Sequence, residues 1–228
     1  MKRIFPILAV LTGAFLSYAL YLALVVAPTE QTMGDVQRIF YYHVPSAWTA
    51  FLLFAINFVA SVVYLVRRNP AVDAIAVTSA EVGVVFCTIV LITGPLWARP
   101  VWGIWWTWDI RLTSTLVLWL MYVAYLILRR FSTGGQTPVI AAAVAVFAAL
   151  DVPLVYFSIR LFRTQHPQPV IGGGGSIDPR MLHVLLMNWY AFICLAALMF
   201  WSRYRLEILQ QQLADAEGLE SLEMRSPQ

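Results

Sequence analysis

Six apolar stretches, each about as long as a bilayer is thick, set the terms for any fold of this chain. They cover residues 4–26, 47–66, 74–97, 112–128, 138–157 and 181–201. About 20 apolar residues in a helix match a hydrocarbon core of roughly 30 Å. In lipid every backbone N–H and C=O must be satisfied internally, so such stretches cross as helices. Hydrophobic residues make up 61% of the 228 and charged residues only 12%, a balance outside soluble-domain usage. The expected fold is an all-α polytopic membrane protein with six transmembrane helices. It is one membrane domain over residues 1–202, followed by a cytoplasmic tail over 203–228.

Basic residues set the expected orientation. With the N-terminus inside, each inner end carries a pair: Lys2 and Arg3, Arg67 and Arg68, Arg129 and Arg130, Arg203 and Arg205. Both termini are then cytoplasmic. The other face holds Arg38, Arg99, Arg111, Arg160, Arg163 and Arg180, scattered among acids, and a ligand with negative charge would account for them. The first stretch is longer than a signal-peptide core and is followed by no small-x-small site, so it reads as a retained helix. Cys87 and Cys194 lie in apolar stretches, which suggests neither a disulfide framework nor a metal motif. The chain has no Cys-x-x-Cys-His for covalent haem attachment, and its net charge of +3 comes mostly from topology-setting arginines, so a nucleic-acid partner is not indicated. The tail spaces Leu206, Leu209, Leu213 and Leu219 helically among acids, giving a short amphipathic helix, solvated or docked on a partner.

Five of the nine tryptophans fall in the loop expected over residues 97–113, between the third and fourth helices on the outer side: Trp97, Trp102, Trp105, Trp106 and Trp108. Interfacial belts use one or two indoles per helix end. A denser indole surface, edged by Asp109, Arg99 and Arg111, suits a large, flat, partly charged ligand. The three histidines share this side. His43 precedes Pro45-Ser46 at the mouth of the second helix, which reads as a fixed corner. His183 lies in the first turn of the sixth helix, after Asp178-Pro179. Two neutral imidazoles facing each other from rigid supports can ligate a planar iron cofactor from both sides. His166, flanked by Pro167 and Pro169 ahead of the glycines at 172–175, reads as sitting on a mobile loop unsuited to a fixed ligand. Residues 31–42 read as a short helix on the membrane surface. Glu81 and Asp151 are carboxylates within apolar stretches, and Glu81 is expected to bond Thr78, Ser79 or a neighbouring subunit.

The run Trp102-Gly103-x-Trp105-Trp106-x-Trp108-Asp109-x-Arg111-Leu112-Thr113 resembles the tryptophan-rich WWD signature of haem-handling proteins in cytochrome c biogenesis. Six helices and this length resemble the CcmC family of the System I pathway, over nearly the whole chain. The resemblance implies haem b bound non-covalently at the periplasmic face of a bacterial inner membrane and delivered to the haem chaperone CcmE. It implies CcmA, CcmB and CcmD as subunits of an ABC-type complex, and no enzymatic step by this chain. It further implies His43 and His183 as axial ligands, with Trp102, Trp105, Trp106, Trp108 and Asp109 as a platform. Arginine forks suit the haem propionates, with Arg111 first, then Arg99 and Arg180. Two alternatives differ in class: a haem-translocating transporter, which an inner haem site would favour, and a haem b electron-transfer protein, which stacked histidine pairs within the bilayer would favour.

Overall fold

A computed structural model describes residues 4–132, 134–167 and 177–223. The glycines at 172–175 and the basic pair Lys2 and Arg3 lie outside the described residues. The elements are α1 (Ile4–Tyr21), which ends in a π-helical turn (Leu22–Val26), a 3-10 turn (Asp35–Ile39), α2 (Phe40–Arg67), α3 (Pro70–Trp102), α4 (Ile110–Phe131), α5 (Thr137–Ala149), α6 (Asp151–Leu161) and α7 (Pro179–Glu223). Six stretches are long and apolar enough to cross a membrane, with α5 and α6 together forming the fifth. Large apolar side chains such as Ile7, Val10, Val59, Ile92 and Phe147 face outward, as a lipid solvent allows.

The helices start and stop for local reasons. Asn69 caps α3, its side chain accepting from Ala71 N at 2.9 Å, with Pro70 in the first turn. Asp109 caps α4 through Leu112 N at 2.9 Å. Gly103, at φ +77°, closes α3 in the left-handed conformation that glycine adopts without strain. Pro153 has no N–H and its ring crowds the carbonyl four residues back, which is Ala149, where α5 ends and α6 takes over.

Helices α2 and α3 form the central pair. Along their seam the Phe54 ring is fully buried and stacked on Tyr122 at 3.9 Å. A side chain on Gly83 would meet that ring at 2.7 Å, so glycine is what lets α3 pass. Asn57 spans the seam, donating to Ala76 O at 2.8 Å and accepting from the Tyr122 hydroxyl at 3.3 Å. A second apolar cluster, with Leu22, Phe40, Tyr41, Val184 and Leu185, packs α1, α2 and α7 together beneath the tryptophan end.

Four local expectations change. The third helix continues through Pro95 and Pro100 to Trp102, so the loop expected over 97–113 narrows to residues 103–109, and Trp97, Arg99 and Trp102 are helical. Prolines are tolerated in membrane helices where neighbouring groups satisfy the freed carbonyls. Pro45 lies inside α2 rather than at its start; it removes a single donor near the helix N-terminus, so His43 sits in the first turn of a helix and not at a corner. The surface helix expected over 31–42 is a 3-10 turn running straight into α2. Glu81 pairs with Arg203 of α7, at 2.5 and 2.7 Å, rather than with a neighbouring hydroxyl.

That pair belongs to a cluster at the end of the bundle opposite the tryptophans. Arg129 holds Asp73 through two bonds of 2.7 and 2.6 Å. Glu207 lies 4.0 Å from Arg129 and 3.9 Å from Arg203. The segment past Arg203 therefore continues α7 without a break and is tied to α3 and α4.

Candidate functional site

His43, on the first turn of α2, is buried at 8% exposure. Its ring stands edge-on to Trp97 at 5.9 Å and 6.3 Å from the ring of His166, at an interplanar angle of 33°. The structure thus seats His166 against His43, while His183, expected opposite His43, is exposed in the first turn of α7. The loop that carries His166 is held in place. The His166 amide donates to Thr164 Oγ1 at 2.9 Å, and Gln165 N donates to Asp109 Oδ2 at 3.1 Å.

Hydrogen-bond partners fix which nitrogen of each ring is free. Thr93 Oγ1 donates its single hydrogen to Ile89 O at 2.7 Å. Towards His43 Nδ1, at 2.9 Å, it can therefore only accept. The Pro167 carbonyl, 2.9 Å from His166 Nδ1, is likewise an acceptor alone. Both rings carry the proton on Nδ1 and keep a lone pair on Nε2, the arrangement that second-shell oxygens impose on metal-binding histidines. Burial, with the nearby Arg111 charge adding to it, lowers the His166 pKa to about 4, so the ring is neutral at pH 7.

The spacing also bears on what could sit between them. With a metal–nitrogen bond of about 2 Å, two imidazoles on opposite sides of one metal have centroids roughly 6 Å apart, close to the 6.3 Å seen here. The indole N–H groups of Trp97 and Trp106 are buried and have no partner among the described residues. Trp105 and Trp108 are 56% and 76% exposed, an unusual display for aromatic side chains of this size. Trp106 meets Trp108 edge to face at 5.8 Å. An open depression of about 620 Å³ lies beside them, lined by Thr107, Trp108, Asp109, Arg163, Thr164 and Gln165. The side chains present fit a large aromatic metal complex: paired lone-pair nitrogens and flat apolar area.

The arginines have internal partners. Arg111 donates to Val155 O at 3.1 Å, and Arg99 donates to Gly103 O. Arg180 pairs with Asp178 at 2.9 Å and holds that carboxyl down at about 2. Arg38 donates to Ala23 O at 2.7 Å and Ala27 O at 3.3 Å, closing the end of α1. Each guanidinium has five donors, so these bonds fix the arginines without exhausting them. The sequence reading passed over Thr93 and Thr164. Thr93 lies 50 residues from the His43 ring it orients, and Thr164 lies two residues before His166; single hydroxyls of this kind are too common a signal to stand out without coordinates.

Fold and site together define a class: a six-span helical membrane protein with a histidine pair and an indole-rich linker gathered at one end of its bundle. A family model described as Heme exporter protein C matches residues 1–218. The chain belongs to that family, CcmC. It is 35% identical to Heme exporter protein C of Bradyrhizobium diazoefficiens, over 97% of this chain and 85% of that protein. It is 30% identical to Heme exporter protein C of Haemophilus influenzae, over 92% and 86%. It is 32% identical to a putative cytochrome c biosynthesis ccmC-like mitochondrial protein of Marchantia polymorpha, over 80% and 78%.

Proposed function

We propose that this chain binds haem b non-covalently at the tryptophan end of the bundle and presents it to the haem chaperone CcmE during c-type cytochrome maturation. The observation that carries this reading is the His43–His166 pair: two rings 6.3 Å apart, each with Nδ1 engaged and Nε2 left for iron. Trp102, Trp105, Trp106 and Trp108 supply apolar area for the macrocycle. Arg111, Arg99 and Arg180 supply donors for the propionates. The names of the relatives, which concern haem export and cytochrome c biosynthesis, agree with haem as the cargo. In this reading the tryptophan end faces the periplasm from a bacterial inner membrane. CcmA, CcmB and CcmD complete an ABC-type complex, and the chain presents haem without catalysing a bond change.

This pairing takes His166 in place of His183, because His166 is the ring that faces His43. The test is the visible spectrum of full-length protein in detergent, supplied with haem, for His43→Ala, His166→Ala and His183→Ala. His43→Ala and His166→Ala should each lose the six-coordinate low-spin spectrum, and His183→Ala should keep it. Loss in His183→Ala with a silent His166→Ala would restore the pairing of His43 with His183.

A further inference from the structure

The aspartate of the signature is placed to do something other than touch haem. We propose that Asp109 is the positioning residue that seats His166 opposite His43. This rests on the reading that His43 and His166 hold the iron.

Both carboxylate oxygens already have partners within the protein. Oδ1 accepts from Leu112 N at 2.9 Å, the capping bond that starts α4. Oδ2 accepts from Thr107 Oγ1 at 3.2 Å and from Gln165 N at 3.1 Å. Thr107 lies in the tryptophan linker. Gln165 lies 56 residues further along the chain and immediately precedes His166. One side chain therefore joins three parts of the chain: the linker through the Thr107 hydroxyl, and the start of α4 and the loop after α6 through backbone N–H groups. The capping bond anchors the carboxylate to a helix, so its other oxygen offers the loop a fixed point.

Among the described residues, the Gln165–Asp109 bond is the one hydrogen bond joining the segment 162–167 to a distant part of the chain. Within the segment, Thr164 Oγ1 receives the His166 amide and Pro167 O receives the His166 ring N–H. Those local bonds shape the turn but cannot locate it. The Asp109 bond locates it one residue from the imidazole. A charged acceptor strengthens such a bond over a neutral one. The signature thus has two kinds of residue: indoles that offer surface, and an aspartate whose oxygens point into the protein and set where the second histidine stands.

The variant that separates this role from simple capping is Asp109→Ser. Serine caps helices well but is too short to reach Gln165 N. Hydrogen exchange is measured first on full-length, haem-free protein in detergent. In Asp109→Ser the amides of Gln165 and His166 should exchange about tenfold faster, as loss of a bond to a charged acceptor implies, while those at the start of α4 keep their protection. Haem is then added. The Asp109→Ser spectrum should shift from six-coordinate low-spin towards five-coordinate high-spin, and added imidazole should return it to six-coordinate. His166→Ala should do the same, and the double variant should be no worse than His166→Ala alone.

Unchanged protection at Gln165 and His166 in Asp109→Ser overturns the proposal. So does a loss of bound haem in Asp109→Ser with coordination intact and no response to imidazole, which would make Asp109 a direct haem contact. A silent His166→Ala sinks the ligand reading itself, and with it the claim that Asp109 positions a ligand, even if the exchange result shows the clamp.

Discussion

Replacing Thr93 by Val tests how the first histidine is held. The two side chains have nearly the same shape, so the change removes one hydroxyl and leaves the packing. In the native protein His43 is 8% exposed and its Nδ1–H has Thr93 Oγ1 as acceptor at 2.9 Å. Without that oxygen the ring faces two poor choices. It can keep the Nδ1 proton with no acceptor, at a cost of about 1–3 kcal/mol for a buried unsatisfied donor. Or it can move the proton to Nε2 and lose the lone pair that would bind iron. At 1.4 kcal/mol per factor of ten, haem affinity should fall about 5- to 150-fold, in line with the roughly 10- to 100-fold typical of lost second-shell partners. The assay is haem titration of full-length protein in detergent, followed by visible absorption, with Thr93→Ser beside Thr93→Val. Serine keeps the oxygen and should bind within a few-fold of wild type. Wild-type affinity in Thr93→Val would refute the reasoning, as would a serine variant as weak as the valine.

Three further outcomes are expected. Arg129→Leu leaves Asp73, 6% exposed in its side chain, as an uncompensated buried charge; it should cost about 3–5 kcal/mol in thermal or denaturant unfolding in detergent, and Asp73→Leu combined with Arg129→Leu should recover most of that. Gly83→Ala pushes a methyl to 2.7 Å from the stacked Phe54 ring and should cost about 1–3 kcal/mol as an overpacked core, with Phe54→Leu in the same chain relieving part of it; no loss in Gly83→Ala would mean that the α2–α3 seam is looser than described. The pKa of His166 falls from 6.5 to about 4 on docking, so the undocked loop binds the extra proton. The His166 contribution to docking is fully present above pH 6.5 and is lost as pH falls from 6.5 towards 4, weakening docking by up to about tenfold per unit, which exchange at Gln165 and His166, corrected for intrinsic rates, would show as a slope absent from His166→Gln.

The number of crossings was legible because hydropathy over 20 residues is a bulk property. The ends of the crossings were not. Residue 67 extends α2, and residues 70–73 and 98–102 extend α3, with polar groups that a hydropathy window discounts, and Pro95 and Pro100 look like stops although they lie within a helix. At the site, the indole run and His43 could be picked out because they are locally dense or locally framed. The partner of His43 could not. His166 sits among prolines and before glycines, which reads as a tip, and what places it is a bond to Asp109 across 56 residues. The arginines have a second use that the sequence did not display, since Arg38, Arg99 and Arg111 also close carbonyls within the fold, which charge counting cannot distinguish from ligand binding.

Helix α7 has a mechanical consequence. At 1.5 Å per residue its 45 residues span about 68 Å, more than twice the hydrocarbon thickness of a bilayer. Near one end Asn188 fastens it to α1 through Ala19 O at 3.2 Å, directly below the tryptophans. Towards the other, Arg203 and Glu207 fasten it to α3 and α4. A stiff rod pinned at two points behaves as a strut: load applied beyond the second pin is delivered to the first as a tilt. Val184 and Leu185, in the apolar cluster against which Trp97 packs, are part of that rod, so a displacement of its far end would reach this cluster without passing through a loop.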